Sequence, residues 1–443
     1  MTREEFAKLA GTRVILLDGA TGSNLMKLGM PSGSCTEKWV LEHPEAIRQI
    51  KEGYINAGTQ IQYTPTFLAN GIAMKDQKID DDPAELNRKL VELEKDIAKG
   101  RAFLAGDMTM TGKAMIPNGT LSFDTAFENY KEQAQALYDA GVDLFVVETM
   151  AELQEMRAAY LAVRSVCDLP FIASFTVNAD GYTYIGTEII SACLTMERMG
   201  ADAVGLNCST GPKEMLPIVK KLKKTVNVPV IVKANAGMPT HIDGKAVYPM
   251  SADEFAKHCE AIVDAGADLI GGCCGTDNEV IKKLKGILEE KGLYVPLDKD
   301  GILRERTAVT EYDHYLSGKR RMTAITEFCD MNRDGVLAEW PQLADAVLNA
   351  EYDEIAEALE DVEEDELLVV SMDGIQGLND LMIENYICRT AAMNLCICFE
   401  ESEPSLLEKD LRYYPGIAAV QLSSMKDKEA GKSLAEKYGA VIL

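Results

Sequence analysis

The densest chemistry in this 443-residue sequence lies in three cysteines, Cys208 and the adjacent pair Cys273 and Cys274. Three thiolates form a soft ligand set suited to tetrahedral Zn²⁺. Three protein ligands leave a fourth position open, as in a catalytic rather than a closed structural site. A thiol entering that position would lose its proton, because the metal lowers its pKa. Three anionic sulfurs would also keep the centre electron-rich, so the bound thiolate should remain nucleophilic enough to attack an electrophilic methyl group. On this reading no protein side chain acts as catalytic acid, base or nucleophile. A vicinal redox disulfide at Cys273-Cys274 is the alternative. Cys167, Cys193, Cys259, Cys388, Cys396 and Cys398 read as small buried hydrophobes, the last two on one face of a strand.

The elements that must position these thiols are short β-branched runs alternating with amphipathic stretches. The runs are Val14–Leu17, Thr59–Phe67, Ala102–Gly106, Asp143–Glu148, Phe171–Val177, Ala203–Asn207, Pro229–Ala234 and Asp268–Gly272. Helical patterns between them include Ala126–Ala140, Leu153–Val166, Ile189–Met199, Lys213–Lys224 and Ala252–Ala265. Gly141, Gly200 and Gly266 follow three of these, as helix stops do. Eight such units predict an α/β fold, a (β/α)8 TIM barrel. An open doubly wound sheet is the competing architecture, but no GxGxxG follows the first run. A barrel builds its site at the C-terminal ends of its strands. Those ends carry Asp18-Gly19, Thr64-Pro65-Thr66, Gly106-Asp107, Glu148-Thr149, Asn207-Cys208, Asn235-Ala236-Gly237 and Cys273-Cys274, so polar groups and thiols gather at one mouth.

These stretches resemble the homocysteine S-methyltransferase family, which includes betaine–homocysteine methyltransferase and the N-terminal barrel of cobalamin-dependent methionine synthase. The resemblance rests on Asp18-Gly19-Ala20-Thr21-Gly22-Ser23, Thr64-Pro65-Thr66-Phe67, Glu148-Thr149, Gly205-Leu206-Asn207-Cys208, Asn235-Ala236-Gly237-Met238-Pro239 and Gly271-Gly272-Cys273-Cys274-Gly275-Thr276. It implies Cys208, Cys273 and Cys274 as zinc ligands. It implies Asp18 and Glu148 as partners of the amino group of homocysteine, with the backbone near Gly19 and Thr66 helping to hold the amino acid. It places Asn235 beside the metal, its amide oxygen filling the open position until substrate arrives. Tyr63, Pro65 and Met110 depart from the methionine synthase pattern, so the resemblance does not fix the methyl donor.

The implied reaction is an SN2-type displacement that gives methionine. The expected donor is methylcobalamin on a separate corrinoid protein; a sulfonium or betaine donor is the other possibility. A second reading, from a different class, is a non-catalytic zinc-bearing scaffold that docks a corrinoid protein. A third is a redox or structural zinc protein.

The expected organisation is a barrel over residues 1–296, a polar linker over 297–318 and a smaller unit over 319–443. In the last third the expected strands are Met322–Thr326, Leu367–Ser371, Leu395–Phe399, Ile417–Leu422 and Ala440–Leu443. The expected helices lie near Gln342–Asp361, Leu378–Ala392, Ser405–Tyr413 and Lys428–Tyr438. Through Asn349–Ile355, Ser402-Glu403-Pro404 and Tyr414-Pro415-Gly416 this series resembles the first half of a pterin-binding barrel, a truncated α/β half-barrel. Its open edge would need cover, from the first barrel or from a second copy in a homo-oligomer. Asp330–Gly335 imitates half a calcium loop, but Pro341 stands where the bidentate Glu belongs, so a polar turn is expected. His43, His241, His258 and His314 show no ligand spacing, and Asp313-His314 does not complete a corrinoid lower-ligand motif.

The formal net charge is -26. Such a chain lacks the basic face that nucleic acid or an anionic membrane requires. No window reaches the roughly 18 apolar residues of a membrane span. The first residues show no basic-then-apolar leader. Eleven cysteines in that context fit a reducing cytoplasm better than a disulfide framework.

Overall fold

The computed structural model describes residues 1–238, 240–242, 245–297, 315–317, 322–325, 328 and 330–443. Most of the expected linker, Asp313-His314 included, lies outside the described residues. Eight parallel strands form the first sheet: β1 (Ile15–Leu16), β2 (Ile61–Tyr63), β3 (Phe103–Met108), β4 (Leu144–Met150), β5 (Phe171–Phe175), β6 (Ala203–Asn207), β7 (Val230–Ala234) and, after the short ribbon strands β8 (Thr240–Ile242) and β9 (Lys245–Val247), β10 (Leu269–Gly272). Each pairs with its sequence neighbour, and β10 pairs back to β1. A parallel bridge from Leu17 to Ile61, with Gln60 N–H donating to Leu16 O at 2.7 Å, closes the ring between β1 and β2. The expected TIM barrel is present.

Strand alternation explains what fills it. Ile15, Leu17, Ile61, Ala105, Leu144, Val146, Ile172, Ala203, Ile231 and Leu269 form one buried cluster inside the ring. Phe6 and Ala10, on the helix Arg3–Thr12, join that cluster and stopper the N-terminal end. The opposite set of strand residues, such as Leu16, Phe145, Val147, Val204 and Val232, packs outward against the helices. Two of the expected helix stops, Gly141 and Gly200, take the left-handed conformation that a side chain would strain.

A second parallel sheet runs in simple order β13 (Asp330–Val336), β14 (Glu366–Ser371), β15 (Cys396–Phe399), β16 (Ala419–Val420), β17 (Val441–Ile442). One face carries Leu367, Cys396, Cys398, Ala419 and Val441. It is covered by Leu194 of the barrel and by Leu316 of a two-stranded ribbon, β11 (Tyr315–Ser317) with β12 (Met322–Ala324). Cys396 and Cys398 therefore share a buried face, as their spacing predicts. Two expectations need correction. The first strand of this sheet is Asp330–Val336, not Met322–Thr326, whose described part belongs to the ribbon. Asp330–Gly335 is accordingly strand rather than turn. Asn332 donates to Glu366 Oε2 at 3.0 Å, and a register shift falls between Asn332 and Gly335.

The sheet docks on the barrel. Arg157 is buried and donates to Arg412 O at 2.9 Å, and Arg412 returns to Asp124 at 2.8 Å. Phe123 N–H donates to Glu384 at 2.7 Å, and Arg198 Nε donates to Gly439 O at 2.6 Å. One face of the second sheet is thus covered by the first barrel and the ribbon. No described helix is long and apolar enough to cross a membrane.

Candidate metal centre

Above the apolar layer inside the barrel, the same alternation brings a polar layer to the mouth. Ile61 is followed two residues on by Tyr63, Ala105 by Asp107, Val146 by Glu148 and Ile231 by Lys233, all on the inward side. All four are buried. The thiols stand just beyond the strand ends: Cys208 after β6, Cys273 and Cys274 after β10.

Their loops are tightly determined. Cys208 and Ser209 both hold positive φ, +61° and +57°, a left-handed turn that non-glycine residues adopt at a cost. Neighbouring strands hold it: Cys208 N–H donates to Lys233 O at 3.0 Å, and Asn207 Oδ1 accepts from Ser174 Oγ at 2.7 Å and from Thr149 N–H at 2.8 Å. Cys273 N–H donates to Ala234 O at 2.7 Å, and Cys274 N–H to Asn235 Oδ1 at 3.0 Å. Gly275 must be glycine on two grounds. Its φ is +84°, and a Cβ would lie 2.3 Å from the Tyr248 ring.

The three sulfurs lie within 4.8 Å of one another, the one group of three or more possible metal donors among the described residues. Tetrahedral zinc with Zn–S bonds of about 2.3 Å needs sulfurs about 3.8 Å apart, so the set fits such an ion. The thiols of Cys273 and Cys274 share hydrogen bonds with Cys208 and hold its sulfur down to about 3. The same shared bonds, with burial, raise Cys273 and Cys274. Cys273 and Cys274 are free thiols, not a disulfide.

Of the expected substrate residues, the structure brings Asp18, Gly19, Thr66, Glu148 and Asn235 to this mouth with different commitments. Asp18, expected to meet an ammonium directly, has both oxygens engaged. Oδ2 accepts from Lys51 Nζ at 2.8 Å and from Tyr63 N–H at 3.1 Å, and Oδ1 from Lys233 Nζ at 2.9 Å. Burial would raise its pKa, but Lys233 and Lys51 override that and hold it below the ordinary range. Gly19 lies against Tyr54, where a Cβ would come within 2.8 Å of the ring. Thr66 Oγ1 donates to Asp107 O at 2.7 Å. The Asn235 oxygen accepts from Cys274 N–H at 3.0 Å, which leaves it a second lone pair, and the Asn235 side chain also reaches the Cys208 sulfur. Glu148 keeps one buried oxygen without a hydrogen-bond partner. Burial is the largest influence on Glu148; with the Asp18 charge, and against the pull of Lys233, it puts this carboxyl at about 7.

Sequence reasoning missed Lys51, Lys233 and Tyr248, and it placed Asp107 and Tyr63 at the strand ends without giving either a role. Lys233 sits in Val-Ile-Val-Lys-Ala and is buried in a strand covered on both faces. Its Nζ lies 3.4 Å from the Tyr63 ring centroid. A lysine inside so apolar a run was itself a signal, because a buried ammonium demands a carboxylate.

The family model described as homocysteine S-methyltransferase matches residues 15–288. Methionine synthases of Mycobacterium leprae and Mycobacterium tuberculosis are each 30% identical over 290 residues, covering 61% of this chain and 24% of theirs. The chain thus spans about a quarter of the length of these curated relatives. The homocysteine methyltransferase MmuM from Escherichia coli, in its metallated form, superposes with a TM-score of 0.53 at 22% identity. That match covers 63% of this chain and 97% of that one, and it shows the shared fold. With the family model spanning more than half of the sequence, the chain belongs to the homocysteine S-methyltransferase family.

Proposed function

We propose that this chain transfers a methyl group to the thiol of homocysteine, forming methionine, with zinc held by Cys208, Cys273 and Cys274. The observation that carries the reading is the convergence of three sulfurs, within 4.8 Å of one another, at a barrel mouth lined by buried charged groups. When bound, zinc supplies a soft Lewis acid that keeps a fourth thiol ionised near neutral pH. The chain's own residues do the rest. The Cys208 turn and the Cys273-Cys274 turn fix the direction of the sulfurs. Asn235 orients both turns by joining the Cys274 amide to the Cys208 sulfur. Glu148 offers a carboxylate to the substrate ammonium, and the backbone near Gly19 and Thr66 helps to hold the amino acid. The donor on this reading is methylcobalamin carried by a separate corrinoid protein. We assign residues 1–296 to the transfer barrel and 319–443 to a truncated pterin-binding-like unit.

The test is zinc content and X-ray absorption of the purified chain, with and without L-homocysteine. One zinc per chain whose shell moves from three sulfurs to four supports the reading. A sulfur shell indifferent to homocysteine sinks it in favour of the scaffold, and a chain that binds no zinc sinks both.

A further inference from the structure

Two buried carboxylates at the mouth lack partners. Asp107 is 6% exposed and Glu148 7%, and each keeps one buried oxygen with no hydrogen bond. Both side chains point into the barrel by strand alternation, on the neighbouring strands β3 and β4, with Asp107 beside Val146 in the register. Glu148 is the strongest charged influence on Asp107 after burial itself, and it adds to that carboxylate's need for a counter-charge. An unpaired buried carboxylate is costly unless it is neutralised or paired.

The nearby cations do not supply the pairing. Lys51 gives its ammonium to Asp18 and to Tyr63 O at 2.6 Å. Lys233 gives its own to Asp18 and to the Tyr63 ring. Asp18 and its two lysines together carry one net positive charge, while Asp107 and Glu148 carry two negative charges when ionised. In the empty site a proton on Asp107, which burial and Glu148 favour, balances the layer, and a substrate ammonium can take that proton's place.

We propose that Asp107 is a specificity-determining residue: with Glu148 it forms the seat for the ammonium group of the thiol substrate, while Asp18 stands behind as the counter-ion that fixes Lys51 and Lys233. This deepens the reading of homocysteine as acceptor and rests on it for the identity of the substrate. It assigns the amine to a carboxylate on β3 that the sequence motifs do not mark.

The test measures binding to the zinc-loaded full chain by calorimetry, with L-homocysteine, L-homoserine and the deaminated thiol 4-mercaptobutyrate. Wild type is expected to bind homocysteine at least tenfold tighter than 4-mercaptobutyrate. Asp107→Asn should weaken homocysteine and homoserine by roughly 10- to 100-fold, the loss of a charge-assisted contact, and leave 4-mercaptobutyrate within about twofold. Asp107→Glu, which keeps the charge, should restore part of the preference, and equal zinc content guards against misfolding. An Asp107→Asn chain that keeps the preference, loses all three compounds alike, or a wild type that binds none of them, overturns the proposal. Homoserine binding that depends on Asp107, together with a sulfur shell that ignores thiols, leaves the seat standing and sinks thiol activation instead.

Discussion

Arg157 Nη1 donates to the carbonyl of Arg412 at 2.9 Å, so a buried guanidinium from a barrel helix caps the C-terminal end of a helix in the second sheet unit. The same group reaches Leu411 O, and Gln154 steadies it at 2.8 Å. A cation at a helix C-terminus meets both unpaired carbonyls and the negative end of the helix dipole.

Removing it should loosen the two units from each other. Arg157→Ala leaves buried carbonyls without donors and is expected to destabilise the protein by about 3 kcal/mol. Urea unfolding followed by limited proteolysis should show the 319–443 unit released ahead of the barrel. An unchanged single transition would refute this account of the interface.

Asp18 invites a different experiment, because it is the shared anion of two buried lysines. Asp18→Asn should destabilise the fold by about 3–5 kcal/mol, mostly through the ammonium groups it leaves unpaired. Adding Lys51→Met should recover part of that loss. Thermal melts of both single variants and the double variant form the cycle. Additive losses would mean that the pair is not coupled as the geometry requires.

Much of this was legible in the sequence, for identifiable reasons. The eight runs were readable because parallel strands covered on both faces are nearly continuous apolar stretches. The thiol mouth was readable because polar residues gather where those runs stop. Asp330–Val336 was not, because its first residues are exposed and polar and a register shift interrupts its pattern. Pairing partners were equally hidden: nothing local to Asp18 says that its counter-ions come from Lys51 and Lys233. Arg157 left one clue. The helix Leu153–Val166 has no wide charged face, and a helix apolar nearly all round is a covered helix.

Glu94 gives a pH-dependent prediction. It is buried, with one oxygen accepting from Gln62 at 2.6 Å and the other unpartnered. Burial, above all, pushes it up to about 7 from an ordinary 4.5. The folded state therefore holds this proton more tightly than the unfolded chain does. The stabilisation is complete below about pH 4.5, fades as the pH rises towards 7 and is absent above it. The span corresponds to about 3 kcal/mol. Urea midpoints should fall between pH 5 and pH 8 in wild type and fall less in Glu94→Gln. Equal slopes in the two proteins would place the proton elsewhere.

The thiol trio makes the sharpest claim about the metal. With Cys208 held down by its two neighbours, and both neighbours raised, the metal-free trio at pH 7 is expected to carry one thiolate and two thiols. Zinc binding to three thiolates must then release about two protons. Calorimetric titration in two buffers of different ionisation enthalpy measures that number directly. A release near three would mean that Cys208 is an ordinary thiol before the metal arrives. A release near zero would mean that the cysteines are not the ligands. Cys208→Ser replaces the thiolate acceptor with a neutral hydroxyl and removes one soft donor, and it should lower zinc affinity. It should also release fewer protons than Cys273→Ser does, if the thiolate is wrongly assigned to Cys208. The assignment made here requires the opposite order, because losing Cys208 leaves two protonated thiols to ionise while losing Cys273 leaves only one.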